Sequence, residues 1–316
     1  MNKMKIIFYG TPAFAVQNLD YLHKNNFTVA AVVTAPDKRS GRGKKMHSSA
    51  VKKYALANNI PVLQPENLKA ESFVTKIKDL APDCQVVVAF RMLPESVWSL
   101  SRLGTINLHA SLLPNYRGAA PINWVIKNNE KHTGLTTFLI DDKIDTGAVL
   151  LQKRIAINAK ETAGSLHDRL AELGGPLLQQ TLSDLNEGKI FPQPQQIAGN
   201  VKSAPKLNRE TIRINWQEKL SEVECHIRAM SPYPGAWTSI IDEKGQEQQL
   251  KIFSASTKFE AHGVAPKRLL VKGKEIYIST EQGYLICEEI QLPNKRKMLA
   301  AELLNGYNFP KQTMVL

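Results

Sequence analysis

Several features are scarce or missing from this 316-residue chain, and each absence closes off a class of protein. No run of 18 apolar residues occurs, so no stretch is long enough to read as a membrane-spanning helix. Only three cysteines are present. Cys84, Cys225 and Cys287 are odd in number and far apart, which fits neither a disulfide framework nor zinc-ligand spacing, so packed, reduced thiols and no metal are expected. Lys5 to Phe8 already reads as a strand, leaving no room for a targeting segment, and the cytoplasm is the expected compartment. Gly10-Thr11-Pro12, the first strand-to-helix turn, lacks the G-x-G-x-x-G pattern of a dinucleotide site. Acidic residues are missing between Lys38 and Lys53.

What fills that last gap is positive charge. Lys38, Arg39, Arg42, Lys44, Lys45, Lys52 and Lys53 fall in this short span, in a chain whose formal net charge is +12. Gly41 and Gly43 flank the cluster, and its charges repel one another, so a mobile exposed loop is expected. Such a balance points to a polyanionic partner, most commonly nucleic acid.

Around this loop the chain alternates strands and helices. Lys5–Phe8 and Val29–Thr34 read as buried strands separated by a helix, with Thr11 as its N-cap and Pro12 in its first turn. Gln85 to Phe90 is nearly all apolar, as a central parallel strand buried on both faces should be. The order predicts an α/β domain with a doubly wound, mostly parallel sheet over residues 1–187. A Pro/Gln-rich stretch, 188–207, reads as a linker. In 208–316 one helix precedes short strands near 236–241, 249–254, 263–265, 269–271, 275–279 and 284–290, a spacing that suggests a small β-barrel. Spacing alone does not separate an OB-like barrel from other kinds.

The chemistry concentrates in residues 104–121. Ile106, Leu108 and Ala110 alternate with Asn107 and His109, a strand pattern that puts the polar pair on one face, about 7 Å apart. A turn-rich segment follows, Ser111-Leu112-Leu113-Pro114 and then Tyr116-Arg117-Gly118. It belongs at the carboxyl end of the strand, where open α/β sheets bind ligands. A later strand ends in Asp141-Asp142-Lys143-Ile144-Asp145-Thr146-Gly147. Alone this is equally a turn. It lacks the ligand spacing of a calcium loop, and nothing else in the chain fits an aspartic protease. Joined to Asn107 and His109, it is a candidate catalytic site.

Taken jointly, these motifs resemble the methionyl-tRNA formyltransferase family. The matching residues are Phe8-Tyr9-Gly10-Thr11-Pro12, Gly41-Arg42-Gly43-Lys44-Lys45, Asn107 to Pro114, Tyr116 to Ile122, and Ile144-Asp145-Thr146-Gly147. Ala204-Pro205-Lys206-Leu207, Ile214-Asn215-Trp216 and Leu303-Leu304-Asn305-Gly306 extend the likeness over nearly the whole chain. The chain departs from the family's pattern at Ala89-Phe90-Arg91-Met92-Leu93-Pro94, one residue shorter and with Arg91 in place of a glycine.

The resemblance implies a formyltransferase-like Rossmann-type domain followed by an OB-like barrel that binds tRNA. It implies a reaction in which the formyl group of 10-formyltetrahydrofolate passes to the α-amino group of methionine on initiator methionyl-tRNA, without a metal or a covalent enzyme intermediate. Asn107 and His109 would stabilise the oxyanion, and Asp145 would support His109 and take up the proton. Ser111, Leu112, Leu113 and Pro114 would lie against the folate. Arg42, Lys44, Lys45 and Lys206 would contact tRNA, and a monomer is expected. Two other readings share part of the pattern: a formyltransferase or hydrolase with a small substrate, which has no need of the basic loop, and a catalytically silent RNA-binding protein.

Overall fold

The computed structural model describes residues 3–25, 27–40, 45–197 and 199–316 and, at Ser40 and Lys45, the main chain alone. Two compact units result. One gathers the chain up to Pro121 with His132–Ala156 and His167–Ser203; the other gathers Ile122–Lys131, Ile157–Leu166 and Ala204–Leu316. Two short segments from within 1–187 thus pack with the C-terminal part. Their polar contacts explain why: Asn123 donates to the Ala229 carbonyl, the Trp124 indole to the Pro205 carbonyl, and Arg228 to the Glu161 carbonyl.

Through the first part of the chain the elements are β1 (Lys5–Gly10), α1 (Ala13–Lys24), β2 (Thr28–Val33), β3 (Lys38–Ser40), β4 (Lys45–His47), α2 (Ala50–Ala57), β5 (Val62–Leu63), α3 (Glu71–Leu80), β6 (Cys84–Val88), α4 (Glu95–Trp98), β7 (Thr105–His109), α5 (Pro121–Lys127), β8 (His132–Leu139), β9 (Val149–Ala156) and α6 (Ala163–Asn186). Seven strands form one sheet in the order β5-β2-β1-β6-β7-β8-β9. From β5 to β7 it is parallel, and β8 and β9 close it antiparallel. Every residue of β6 is buried, as its unbroken apolar run requires. One core layer joins Ile7, Tyr9, Val33 and Val87 to Phe73, Ile77, Leu93 and Val97. At Gly10 a Cβ would come within 2.6 Å of the Ala15 Cβ, so the turn into α1 admits no side chain there.

Two expectations change. Thr11 does not cap α1: Pro12 occupies the N-cap position and no side chain bonds the helix end. The basic segment is not all loop, because β3 and β4 pair antiparallel through Lys38–His47 and Arg39–Met46. Main-chain pairing there outweighs the charge repulsion expected from composition. Its basic cluster is also partly neutralised, since Lys52 Nζ lies 2.6 Å from Asp37 Oδ2.

In the second unit α7 (Leu220–Met230) precedes β10 (Ala236–Ile241), β11 (Glu247–Phe259), β12 (Leu269–Lys272), β13 (Glu275–Thr280), β14 (Gly283–Gln291), β15 (Met298–Leu299), α8 (Ala300–Leu304) and β16 (Met314–Val315). The sheet runs β12-β13-β14-β11-β10-β16. Main-chain bonds from Leu269 N to Thr313 O and from Val315 N to Lys267 O bring its ends together as a nearly closed antiparallel barrel. Residues 263–265 form no strand, while β11 is longer than expected because it pairs with β10 along one part and with β14 along another.

Candidate active site

β7 sets the site. Its alternation leaves Asn107 half-buried and His109 buried at the carboxyl end of the strand, between β6 and β8. Asn107's carboxamide makes no hydrogen bond to another described residue, so its N–H groups are available. Both ring nitrogens of His109 face oxygen. Nε2 lies 2.8 Å from the Tyr116 carbonyl, and Nδ1 lies 3.7 Å from Asp145 Oδ2. A proton on Nε2 is donated to that carbonyl, which turns Nδ1 toward the carboxylate. The side chains of His109 and Asp145 are only 8% and 14% exposed, so little water screens the pair. Asp145 Oδ2 also accepts the Gly118 N–H at 2.8 Å. Asn107, His109 and Asp145, drawn from two separate chain segments, thus end on one face of the sheet edge.

The 111–114 segment is built from the strand side. Thr136 on β8 donates its hydroxyl to the Ser111 carbonyl (2.7 Å) and accepts the Leu113 N–H (3.1 Å). Gln152 on β9 donates to the Leu113 carbonyl (2.8 Å) and to Thr136 Oγ1 (3.0 Å). Ser111 is fully buried and donates to the Asn115 carbonyl, while Leu113 is buried and Leu112 and Pro114 are partly open. The Ser111 hydroxyl therefore serves the loop's own shape.

Sequence reasoning missed the residues that hold this arrangement. Tyr116 supplies a carbonyl, Gly118 a main-chain N–H, and Thr136, Gln152 and Gln195 supply side-chain bonds from remote positions. Gln195 lies in the Pro/Gln-rich stretch read as a linker. That stretch is extended, but it is strapped onto the first unit: Val149 and Gln193 exchange two main-chain bonds of 2.8 Å, and Lys202 O accepts the Tyr116 N–H. The glutamines were the one visible signal, since each amide can donate and accept.

A cleft of about 690 Å³ also lies on the first unit, lined by Glu66, Asn67, Lys69, Arg91, Met92 and Pro94 among others. Arg91 ties its two walls by donating to the Pro65 and Glu66 carbonyls. None of Asn107, His109, Asp145 or 111–114 lines it.

Of the residues expected to contact tRNA, Arg42 and Lys44 lie outside the described residues, and Lys45 contributes only its main chain to β4. Lys206 is exposed on the second unit. Nearby in sequence, Arg209 and Arg213 stack on the Trp237 ring at 5.1 and 5.4 Å and have no acidic partner among the described residues. No group of three or more His, Cys, Asp or Glu that could hold a metal occurs among the described residues, and no helix there is long and apolar enough to cross a membrane.

The chain is a formyl transferase by its match to that family. Residues 3–182 match the formyl transferase family and residues 206–308 its C-terminal domain. A sugar 3N-formyl transferase, WlaRD, solved in the presence of dTDP and 5-N-formyl-THF, superposes with a TM-score of 0.65 at 21% identity, covering 94% of this chain and all of that one. Methionyl-tRNA formyltransferase of Flavobacterium johnsoniae is 50% identical over 315 residues, the full length of both chains, and that of Bacteroides fragilis is 43% identical over 96% of this chain and 95% of its own. The chain belongs to the methionyl-tRNA formyltransferases, enzymes of translation initiation.

Proposed function

We propose that the chain moves the formyl group of 10-formyltetrahydrofolate to the α-amino group of methionine on initiator methionyl-tRNA, as a monomer in the cytoplasm. The folate donor is supported by the neighbouring sugar formyl transferase, solved with a formylated folate. One observation carries the catalytic reading: a buried imidazole faces a carboxylate at 3.7 Å beside an amide with unused donors.

The amine attacks the formyl carbon and gives a tetrahedral intermediate with an oxyanion and a positively charged nitrogen. Asn107 donates an N–H to the oxyanion, an interaction that strengthens as charge develops. Asp145 takes the amine proton, directly or through one water, and passes it to N10 as the oxyanion collapses and the bond from the formyl carbon to N10 breaks. His109, its ring held at Nε2 by the Tyr116 carbonyl and facing Asp145 at Nδ1, joins Asn107 in stabilising the oxyanion, and Asp145 supports it. This chemistry needs neither a Lewis acid nor an acyl-enzyme, because the donor is already an activated amide.

Leu112 and Pro114 present the open face of the 111–114 segment to the folate, with Ser111 and Leu113 holding it from behind. The 690 Å³ cleft beside Arg91–Pro94 is large enough to receive part of it. For the acceptor, Arg42, Lys44 and Lys45 contact the RNA near the reacting end, and Lys206 with Arg209 and Arg213 contacts its phosphates. Unpaired guanidinium groups held on a tryptophan suit an RNA backbone and have no part with a small amine.

The test is formyl transfer from 10-formyltetrahydrofolate to charged initiator and elongator methionyl-tRNA. Transfer to the initiator and a salt-dependent KM support the reading. A protein that formylates only small amines, or neither tRNA, would overturn it.

A further inference from the structure

Asp145 and Tyr116, which supply the two oxygens facing His109, share an unusual property. Both are non-glycine residues in the left-handed region, with φ of +54° and +62°. Such conformations cost energy and persist only where the surroundings over-determine them. Both are held from the same extended stretch. Lys202 O accepts the Tyr116 N–H at 2.6 Å, and Gln195 Nε2 donates to the carbonyls of Asp145 and Gly147, each at 2.9 Å. The other end of the Gln195 amide, Oε1, accepts Arg117 Nε and Nη2 at 3.2 and 2.7 Å. Arg117 precedes Gly118, whose N–H bonds the Asp145 carboxylate.

A single half-buried glutamine therefore joins the Arg117–Gly118 turn to the Asp145–Gly147 turn, using every hydrogen-bonding direction its amide favours. The bonds fix where the Asp145 main chain sits and, through Gly118, where its Oδ2 points. No bond runs from Gln195 to His109 or Asn107.

We infer that Gln195 is a positioning residue for the reaction: it clasps the two turns so that the Asp145 carboxylate faces His109 Nδ1. This rests on the reading of Asp145 as the proton acceptor. The clasp does not touch the reacting atoms and acts through Asp145 alone. Displacement of a reacting group by about 1 Å costs on the order of 10²-fold in rate.

A double-mutant cycle tests it, with single-turnover formylation of charged initiator tRNA as the readout. Gln195→Ala should lower kcat by about 10- to 100-fold while KM for both substrates stays within about 3-fold. Gln195→Glu keeps the acceptor for Arg117 but loses both donors and should lose at least as much. In an Asp145→Asn background Gln195→Ala should cost less than about 3-fold, because the group it positions is already gone. Equal fold-losses in both backgrounds, or a change confined to KM, would overturn the inference. If Asp145→Asn is damaging while both Gln195 variants turn over normally, the inference alone fails. If Asp145→Asn is harmless, the reading of Asp145 fails and the inference falls with it.

Discussion

Replacing Asp145 by Asn is the sharpest perturbation of the site. The change is isosteric, and the remaining carbonyl oxygen can still accept the Gly118 N–H, so the turn should keep its shape. What disappears is a unit of negative charge 3.7 Å from His109 Nδ1 in a largely water-excluded position. The proton acceptor is lost, and a positioned general base contributes typically about 10² to 10⁴ in rate. We therefore expect kcat for formyl transfer to methionyl-tRNA to fall by about 10² to 10⁴. Folate affinity, read by fluorescence titration, and the thermal unfolding midpoint should change little. Turnover within ten-fold of the unsubstituted enzyme would show that the carboxylate is not in the reaction path.

Three further outcomes follow from the structure. Thr136→Val keeps the volume but leaves the Leu113 N–H without its acceptor; stability should fall by about 2 kcal/mol, and KM for the folate should rise more than kcat falls, read by urea unfolding and steady-state kinetics. At Gly147 a Cβ would stand 1.7 Å from the Leu139 carbonyl oxygen, so Gly147→Ala should lower the unfolding midpoint by roughly 6–10 °C and reduce kcat with it. His226, only 2% exposed and donating to the Ile212 carbonyl, is pushed down to about 4 by burial. The unfolded chain binds a proton there below about pH 6.5, before the folded one does, so stability is full above that pH and declines as pH falls toward 4, by about 3 kcal/mol. Unfolding midpoints between pH 4.5 and 7 should show this slope, and His226→Gln should flatten it.

Much of this was legible in the residues themselves. The two-residue alternation of Ile106–Ala110 placed Asn107 and His109 on one face of a strand. The parallel order followed from the apolar run at Gln85–Phe90. That Asp145 meets His109 was not legible, because β8 runs antiparallel to β7 and only the path of residues 141–147 returns the carboxylate to the imidazole. Main-chain chemistry was not legible either. The Tyr116 carbonyl and the Gly118 N–H exist at every residue of every chain, and only the fold selects them. Gln195 was hidden for another reason: Pro/Gln composition signals extended chain but does not say whether that chain lies free or strapped. Between Lys38 and His47 the basic residues drew attention to repulsion, and the main-chain pairing of β3 with β4 was not read from them.

The closure of the barrel by residues 267–269 and 313–315 carries a practical lesson. The zip that shuts it is only a few rungs long, and Val315 is completely covered. Trimming these last residues would leave the flanks of β10 and β12 with open hydrogen-bonding edges, which invite pairing between molecules. Affinity handles are better placed elsewhere or set beyond Leu316 on a flexible spacer, and aggregation of a shortened variant would follow from this seam and not from any fault in its chemistry.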